Sequence, residues 1–160
     1  MTRREYNSCV DIHADGVYRF VLKNLGNEEE SKDIVQEVFT KLWEKAETVN
    51  YEKAKSYIFS AAYRTMLDHI KKHKPLSTEV THYFEPNHET QYSDVQEVLS
   101  GLLQLLPEKQ KTAITLRDYE GYSYAEIAEI MAINESQVKV NIFRARKFLK
   151  NKIKSIDVLI

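Results

Sequence analysis

The chain contains few of the residues that break helices or cross-link a fold. Its 160 residues include four glycines, three prolines and a single cysteine, Cys9. One cysteine excludes both an intrachain disulfide and a cysteine-based metal centre. The scarcity of helix breakers, together with many Glu, Lys, Leu and Ala residues, favours helices. The sequence also lacks an apolar run of roughly 18 residues, so it predicts no transmembrane span.

The first residues carry charge with no apolar stretch behind them, which is unlike a secretory signal peptide. We therefore expect a cytoplasmic protein. Hydrophobic residues make up 42% of the chain and charged residues 29%, proportions that are typical of a folded globular protein and not of a disordered one.

Charge is distributed unevenly although the formal net charge is only −1. Residues 134–154 contain seven basic side chains and one acidic side chain, Glu135. Residues 75–97 contain five acidic side chains and neither Lys nor Arg. Such polarity predicts a basic face suited to a polyanion such as DNA, with acidic surface elsewhere.

Apolar side chains recur at helical spacing in three segments of the first half, at residues 12–25, 28–47 and 53–73. Pro75 follows the third segment and ends it, because proline cannot continue a helix. The three segments predict a small helical domain over residues 1–74.

The second half begins after a stretch without periodicity. Residues 75–91 contain prolines and scattered acids, which indicate a flexible linker. Helical spacing resumes over residues 92–160 and predicts a second small domain. The sequence therefore predicts an all-α protein of two helical domains joined by a linker.

The second domain contains the signature of a helix-turn-helix. Ser123 and Glu126 have the spacing of a capping box, and Asn134 and Gln137 repeat it. Residues 132–133 leave room only for a tight turn between the two capped helices. This pattern is typical of a motif whose second helix enters the major groove of DNA.

The last helix separates an apolar face from a basic one. The apolar face consists of Val138, Ile142, Ala145, Leu149 and Ile153. The opposite face consists of Gln137, Lys139, Asn141, Arg144, Lys147 and Lys150. Arg, Asn and Gln pair with base edges, and Lys contacts phosphates, so this face is predicted to bind DNA.

Three blocks, in the same order along the chain, resemble the extracytoplasmic-function group of sigma-70 factors. The first block, residues 30–43, reads ESKDIVQEVFTKLW. The second, residues 55–72, reads KSYIFSAAYRTMLDHIKK. The third combines LLPEKQK at residues 105–111, LRDYEGYSYAEIAEIM at 116–131 and VKVNIFRAR at 138–146.

The resemblance implies a protein that binds core RNA polymerase, directs it to promoter DNA and helps to open the duplex. It also implies an anti-sigma factor as a further partner. The second helix would dock on core polymerase. The implied contacts are Asp33, Gln36, Glu37 and Phe39. For Phe39, as for Trp43, a place in the hydrophobic core is the open alternative.

The third helix would bind the downstream (minus ten) promoter element by capturing unstacked bases on aromatic side chains beside cations. The implied contacts are Tyr57, Phe59, Tyr63, Arg64, Lys71 and Lys72. Tyr57 and Arg64 stand where the family often has Trp and Asn, which leaves the base preference open. Tyr57 and Phe59 could equally be core aromatics.

The last helix would read the upstream (minus thirty-five) element. The implied contacts are Gln137, Lys139, Asn141, Phe143, Arg144, Arg146 and Lys147. Ala132 replaces a frequent turn glycine of the family. If Ala132 has a positive φ, the replacement destabilises the domain by about 1 kcal/mol.

Other function classes find little support in the sequence. His69 and His73 are four residues apart, a spacing that can bind metal, but the nearby Asp68 points elsewhere on the helix. The sequence contains neither a glycine-rich phosphate loop nor a nucleophile constellation. We therefore expect no enzyme, metal, cofactor or small-molecule substrate. The alternative function is a helix-turn-helix regulator that acts without core polymerase.

Overall fold

The computed structural model describes residues 1–73 and 92–158, and in these ranges it contains helices and no strand. The predicted all-α class is therefore confirmed, while the predicted linker at residues 75–91 lies outside the described residues. The elements in chain order are α1 (Arg3–Leu25), α2 (Glu28–Glu44), a 3₁₀ turn (Tyr51–Lys53), α3 (Ala54–His73), α4 (Tyr92–Gln104), α5 (Glu108–Ile114), a π-helical turn (Thr115–Tyr119), α6 (Tyr124–Met131) and α7 (Glu135–Val158).

Helix α1 begins nine residues earlier than the apolar spacing predicted. Thr2 and Glu5 form a capping box, in which the Glu5 N–H donates to Thr2 Oγ1 at 3.1 Å and the Thr2 N–H donates to Glu5 Oε1 at 2.8 Å. This box satisfies two N–H groups that have no partner inside the helix. Gly26 ends α1 with φ 72°, and Asn27 caps α2.

The first three helices pack around one apolar interior. Its fully buried members include Val17, Phe20, Val21, Ile34, Val38, Leu42, Ile58, Ala62 and Met66. Each helix contributes side chains three or four residues apart, so that one stripe per helix leaves water.

Helices α5, α6 and α7 bury a second set of apolar side chains that is continuous with the first. Its members include Ala113, Leu116, Ile127, Ile130, Val138 and Ile142. The link between the two sets runs through Phe59 of α3, whose ring meets Tyr122 edge-on at a centroid distance of 5.0 Å. The two predicted helical regions therefore share one core in this structure.

Polar contacts centred on Asn24 also join the two regions. Asn24 Nδ2 donates to Thr115 Oγ1 at 3.1 Å, and Thr112 Oγ1 donates to Asn24 Oδ1 at 3.3 Å. Lys111 Nζ donates to the backbone oxygen of Asn24 at 2.8 Å. The amide nitrogen and oxygen of the buried Asn24 side chain are thereby both partnered, as burial requires.

Within residues 1–73 and 92–158, none of the helices combines the length and apolar character that a bilayer crossing requires.

Candidate nucleic-acid interface

Both predicted capping boxes of the helix-turn-helix are confirmed. At the start of α6, the Glu126 N–H donates to Ser123 Oγ and the Ser123 N–H donates to Glu126 Oε1, each at 3.1 Å. At the start of α7, the Gln137 N–H donates to Asn134 Oδ1 at 2.8 Å, and the Asn134 N–H donates to Gln137 Oε1 at 3.1 Å. The caps fix where both helices begin, and so fix the turn between them.

Ala132 closes α6 in the left-handed region, with φ 56° and ψ 44°. Within residues 1–73 and 92–158, no other non-glycine residue has a positive φ. The conformation places its Cβ close to a carbonyl oxygen, which costs an L-residue roughly 1–2 kcal/mol. The turn is thus held in a strained backbone conformation by the helices on either side.

Helix α7 turns one face to the core and one to solvent. Val138, Ile142 and Ala145 are buried, and Leu149 is half-buried, whereas Ile153 is exposed. The predicted apolar stripe therefore ends about one turn early. Of the predicted upstream contacts, Asn141 is half-buried and the others are exposed, namely Gln137, Lys139, Phe143, Arg144, Arg146 and Lys147.

Three of these exposed or half-buried side chains already make hydrogen bonds within the protein. Gln137 is part of the α7 cap, and Asn141 Nδ2 donates to the Gln137 backbone oxygen at 2.8 Å. Arg146 makes a two-point ion pair with Asp118, at 3.2 and 2.5 Å. The Asp118 carboxylate raises the pKa of Arg146. For Arg144 and Lys147, no side-chain partner occurs within the described part of the chain.

The predicted downstream contacts divide into an exposed and a covered group. Arg64, Lys71 and Lys72 are exposed and Tyr57 is half-buried. Phe59 and Tyr63 are only 2% and 6% exposed. The open alternative for Phe59, a place in the hydrophobic core, is the one that the structure shows. Its ring centroid lies 5.9 Å from that of Phe20 and 5.0 Å from that of Tyr122.

Tyr63 is covered by α5. Its hydroxyl donates to Glu108 Oε1 at 3.0 Å. Burial, followed by the nearby Glu108 carboxylate, raises the pKa of Tyr63. In this arrangement neither Phe59 nor Tyr63 presents a ring face on which a base could stack.

The implied polymerase contacts lie on α2, and the structure revises one of them. Asp33, Gln36 and Glu37 are exposed along a shallow groove, whereas Phe39 is only 7% exposed and packs in the core. Trp43 is 51% exposed and meets Tyr6 edge-on at 4.9 Å. Trp43 follows Gln36 by two helical turns, so the aromatic side chain on the exposed face is Trp43 and not Phe39.

Comparison with known proteins agrees with this architecture. The family described as Sigma-70 region 2 matches residues 9–75, and Sigma-70, region 4 matches residues 96–149. The RNA polymerase sigma factor SigV of Bacillus subtilis is 32% identical over 155 residues, covering 94% of this chain and 92% of SigV. The ECF RNA polymerase sigma-E factor of Haemophilus influenzae is 32% identical over 141 residues, covering 78% and 75% of the two chains.

The chain belongs to the sigma-70 family, as an ECF sigma factor.

Two solved structures share the fold of this sigma factor. RpoE of Bartonella quintana, crystallised with the anti-sigma factor NepR, is 21% identical with a TM-score of 0.77, covering 94% of this chain and 98% of RpoE. CnrH, solved in complex with the cytosolic domain of CnrY, is 17% identical with a TM-score of 0.75, covering 96% and 90%. At these identities the likeness concerns the fold.

The sigma factor also carries a cation near α7 that the sequence pattern did not single out. The Arg117 guanidinium lies over the ring of Tyr124 at 4.5 Å, and Lys139 Nζ lies 5.6 Å from the same ring. Arg117 NH1 also donates to the Tyr122 backbone oxygen at 2.9 Å. The Arg117 side chain is half-buried, so it adds a partly covered cation beside the start of α6.

Proposed function

We propose that this sigma factor joins core RNA polymerase through the exposed face of α2, reads the upstream promoter element with α7 and contacts the downstream element through α3. Sigma factors bind core polymerase and direct promoter recognition and DNA melting at transcription initiation. The observation that carries the residue assignment is the capped helix-turn-helix. Its buried stripe turns Lys139, Arg144 and Lys147 of α7 toward solvent.

In the upstream complex, the exposed Arg144, which has no side-chain partner among the described residues, is the best candidate for reading a base. A guanidinium can donate two parallel hydrogen bonds to O6 and N7 of a guanine. Lys139 and Lys147 contact phosphates and supply salt-dependent affinity. Arg146 is tied to Asp118, so its contribution to DNA binding is smaller than that of Arg144. Phe143, exposed beside Arg144, contacts the apolar edge of a thymine.

In the downstream complex, Tyr57, Arg64, Lys71 and Lys72 are available for the displaced strand. Phe59 and Tyr63 are covered by the second helical region. For them to stack on bases, α5 and the Tyr122 segment must leave α3, which breaks the Tyr63–Glu108 hydrogen bond. We therefore propose that the packed arrangement is the form off DNA, and that core polymerase separates the two regions.

The remaining assignments follow from the same role. The chain is a transcription initiation factor and, as we propose, not an enzyme, and it acts in the cytoplasm, where its polymerase transcribes. Its partners are core polymerase, promoter DNA and an anti-sigma factor. The fold relative RpoE of Bartonella quintana was crystallised with a partner of this last kind, the anti-sigma factor NepR.

Two substitutions separate the two surfaces. Arg144→Ala should lower promoter-dependent transcription by about 10-fold or more, since a bidentate base contact contributes about 1–3 kcal/mol of discrimination, while the affinity for core polymerase stays unchanged.

Asp33→Arg should do the reverse and weaken core binding first, because it reverses a charge in the docking face. Run-off transcription and fluorescence anisotropy with labelled sigma factor measure the two effects.

Matched controls are Lys154→Ala, an exposed cation near the end of α7, and Asp11→Arg, an exposed acid on α1. Both should retain both activities. If Asp33→Arg keeps full affinity for core, the assignment of α2 fails. If Arg144→Ala loses core binding and transcription equally while its circular dichroism is unchanged, the assignment of α7 fails.

A further inference from the structure

Two histidines of α3 and a glutamate of α2 form a cluster that neither promoter binding nor polymerase docking uses. His69 and His73 lie one turn apart on α3, and Glu30 is in the first turn of α2. Each residue offers one ligand atom, and the three atoms lie within 4.8 Å of one another. His69 Nδ1 is 3.3 Å from Glu30 Oε1. The local sequence around the histidine pair shows no third ligand, because Glu30 lies 39 residues before His69.

We propose that Glu30, His69 and His73 bind one divalent transition-metal ion of the zinc class. Two imidazoles and a carboxylate are the donor set of a three-ligand zinc site, in which water fills the fourth position. Donor atoms around a tetrahedral ion lie roughly 3.3 Å apart when each bond is about 2.0–2.1 Å. The Glu30–His69 separation already has this value, so the exposed His73 side chain supplies most of the adjustment.

The surroundings of His69 match those of a metal-ligating histidine. Its second ring nitrogen, Nε2, is 3.3 Å from Glu37 Oε2. A ligating imidazole usually gives its other N–H to a carboxylate, which fixes the ring and raises its basicity. Glu37 is itself held by Lys41, whose Nζ is 3.2 Å from Glu37 Oε1. With the ion on Nδ1, Nε2–H donates to a carboxylate that is already in place.

The position of the cluster on the surface also suits a cation. A depression between α2 and α3 gives access to it and is lined by Asn27, Glu29, Glu30, Asp33, His69 and His73. The side chains of Glu30 and His69 are 25% and 23% exposed, so they are partly ordered by packing and still reachable from solvent. The Asn27 side chain accepts the Glu30 N–H at 2.9 Å and fixes the backbone of that ligand.

An ion at this position would connect the start of α2 to the last described turn of α3. It would also lie beside Asp33 and Glu37, two residues of the proposed docking face. Metal binding by the chain alone does not depend on that docking role, and it can be measured without polymerase.

Titration of the full chain with Zn²⁺ and with Co²⁺ tests the proposal. We expect one Zn²⁺ per chain by calorimetry, visible absorption bands of Co²⁺ with imidazole ligands, and a higher Tm with Zn²⁺ present, because the ion binds the folded form. Mg²⁺ prefers oxygen ligands and should not compete. Glu30→Gln, His69→Gln and His73→Gln should each weaken binding by about 10-fold or more, since loss even of an outer partner weakens metal affinity about 10–100-fold.

The controls use the other histidines. His13→Gln on α1, and a double variant at His82 and His88, which lie outside the described residues, should bind Zn²⁺ as the parent chain does. His73 is exposed, so His73→Gln leaves the fold intact and its loss of binding reports on the site. The proposal is overturned if His73→Gln and Glu30→Gln bind Zn²⁺ as tightly as the parent. It is also overturned if the His82/His88 variant abolishes binding, or if Mg²⁺ displaces the ion.

Discussion

Ala132 lies at the turn of the helix-turn-helix in a backbone conformation that glycine adopts more easily. Its φ of 56° is a consequence of the left-handed cap that ends α6 before α7 begins. The side chain is exposed and contributes no burial. The strain is therefore not offset by contacts of the Ala132 methyl group.

We expect Ala132→Gly to raise the free energy of unfolding by about 1 kcal/mol, because removal of Cβ relieves a left-handed penalty that exceeds the extra chain entropy of glycine. Ala125→Gly is the matched control, since Ala125 is exposed in the first turn of α6, with an ordinary helical backbone. The same change there should lower stability, by up to about 1 kcal/mol, because glycine has a lower helix propensity than alanine. Urea denaturation measures both, and a destabilised Ala132→Gly variant would contradict the strain.

Individual aromatic residues were the least predictable part of the site. Phe39 and Trp43 are four residues apart, and the spacing alone could assign either to the core. The structure buries Phe39 and leaves Trp43 half exposed, with Tyr6 of α1 edge-on to the indole and donating its hydroxyl hydrogen to the Phe39 backbone oxygen at 2.9 Å. That contact spans 33 residues, so no local pattern reports it.

At the scale of elements, local signals predicted the helices well. Capping boxes at Ser123 and Asn134 gave the starts of α6 and α7, since each depends on residues three apart. The earlier start of α1 was missed although Thr2 and Glu5 have the same spacing. The π-helical turn at Thr115–Tyr119 was also missed, where the Glu120 N–H donates to the Thr115 carbonyl at 3.2 Å.

The packing between helices could not be predicted from the sequence, because the contacts between helices join residues that are far apart along the chain. Arg19 of α1 pairs with Glu120 after the π-helical turn, 101 residues later, through two contacts of 3.3 Å. The Glu120 side chain is only 8% exposed, whereas Arg19 is 55% exposed. A half-exposed pair contributes little free energy by itself, but reversal of one charge would place two carboxylates together at a buried position.

Arg19→Glu should therefore loosen α1 from the second helical region, and the exchange Arg19→Glu/Glu120→Arg should restore the contact. Small-angle X-ray scattering measures the result as a larger radius of gyration in the single variant and a recovered value in the double variant. Recovery in the double variant would show that the opposite charges of these two side chains, and not Arg19 alone, maintain the contact. If all three proteins scatter alike while circular dichroism shows intact helices, the Arg19–Glu120 contact does not hold the two regions together.

At the scale of the whole molecule, the sequence predicted two helical regions and their likeness to a sigma factor, but not their shared core. Asn24 forms hydrogen bonds with Thr112 and Thr115. Nothing in the sequence near the end of α1 indicates that role. The same packing covers Phe59 and Tyr63. If Phe59 and Tyr63 capture the downstream element, as proposed, the two regions must separate first.

The central claim is that this chain acts as a subunit of RNA polymerase and not as an independent DNA-binding protein. The most direct measurement adds the purified chain to core polymerase on fragmented genomic DNA and sequences the 5′ ends of the transcripts. We predict new starts, absent with core alone, that share two upstream sequence elements, and the loss of these starts with Arg144→Ala. A chain that binds DNA tightly alone, never joins core and adds no starts would contradict this claim.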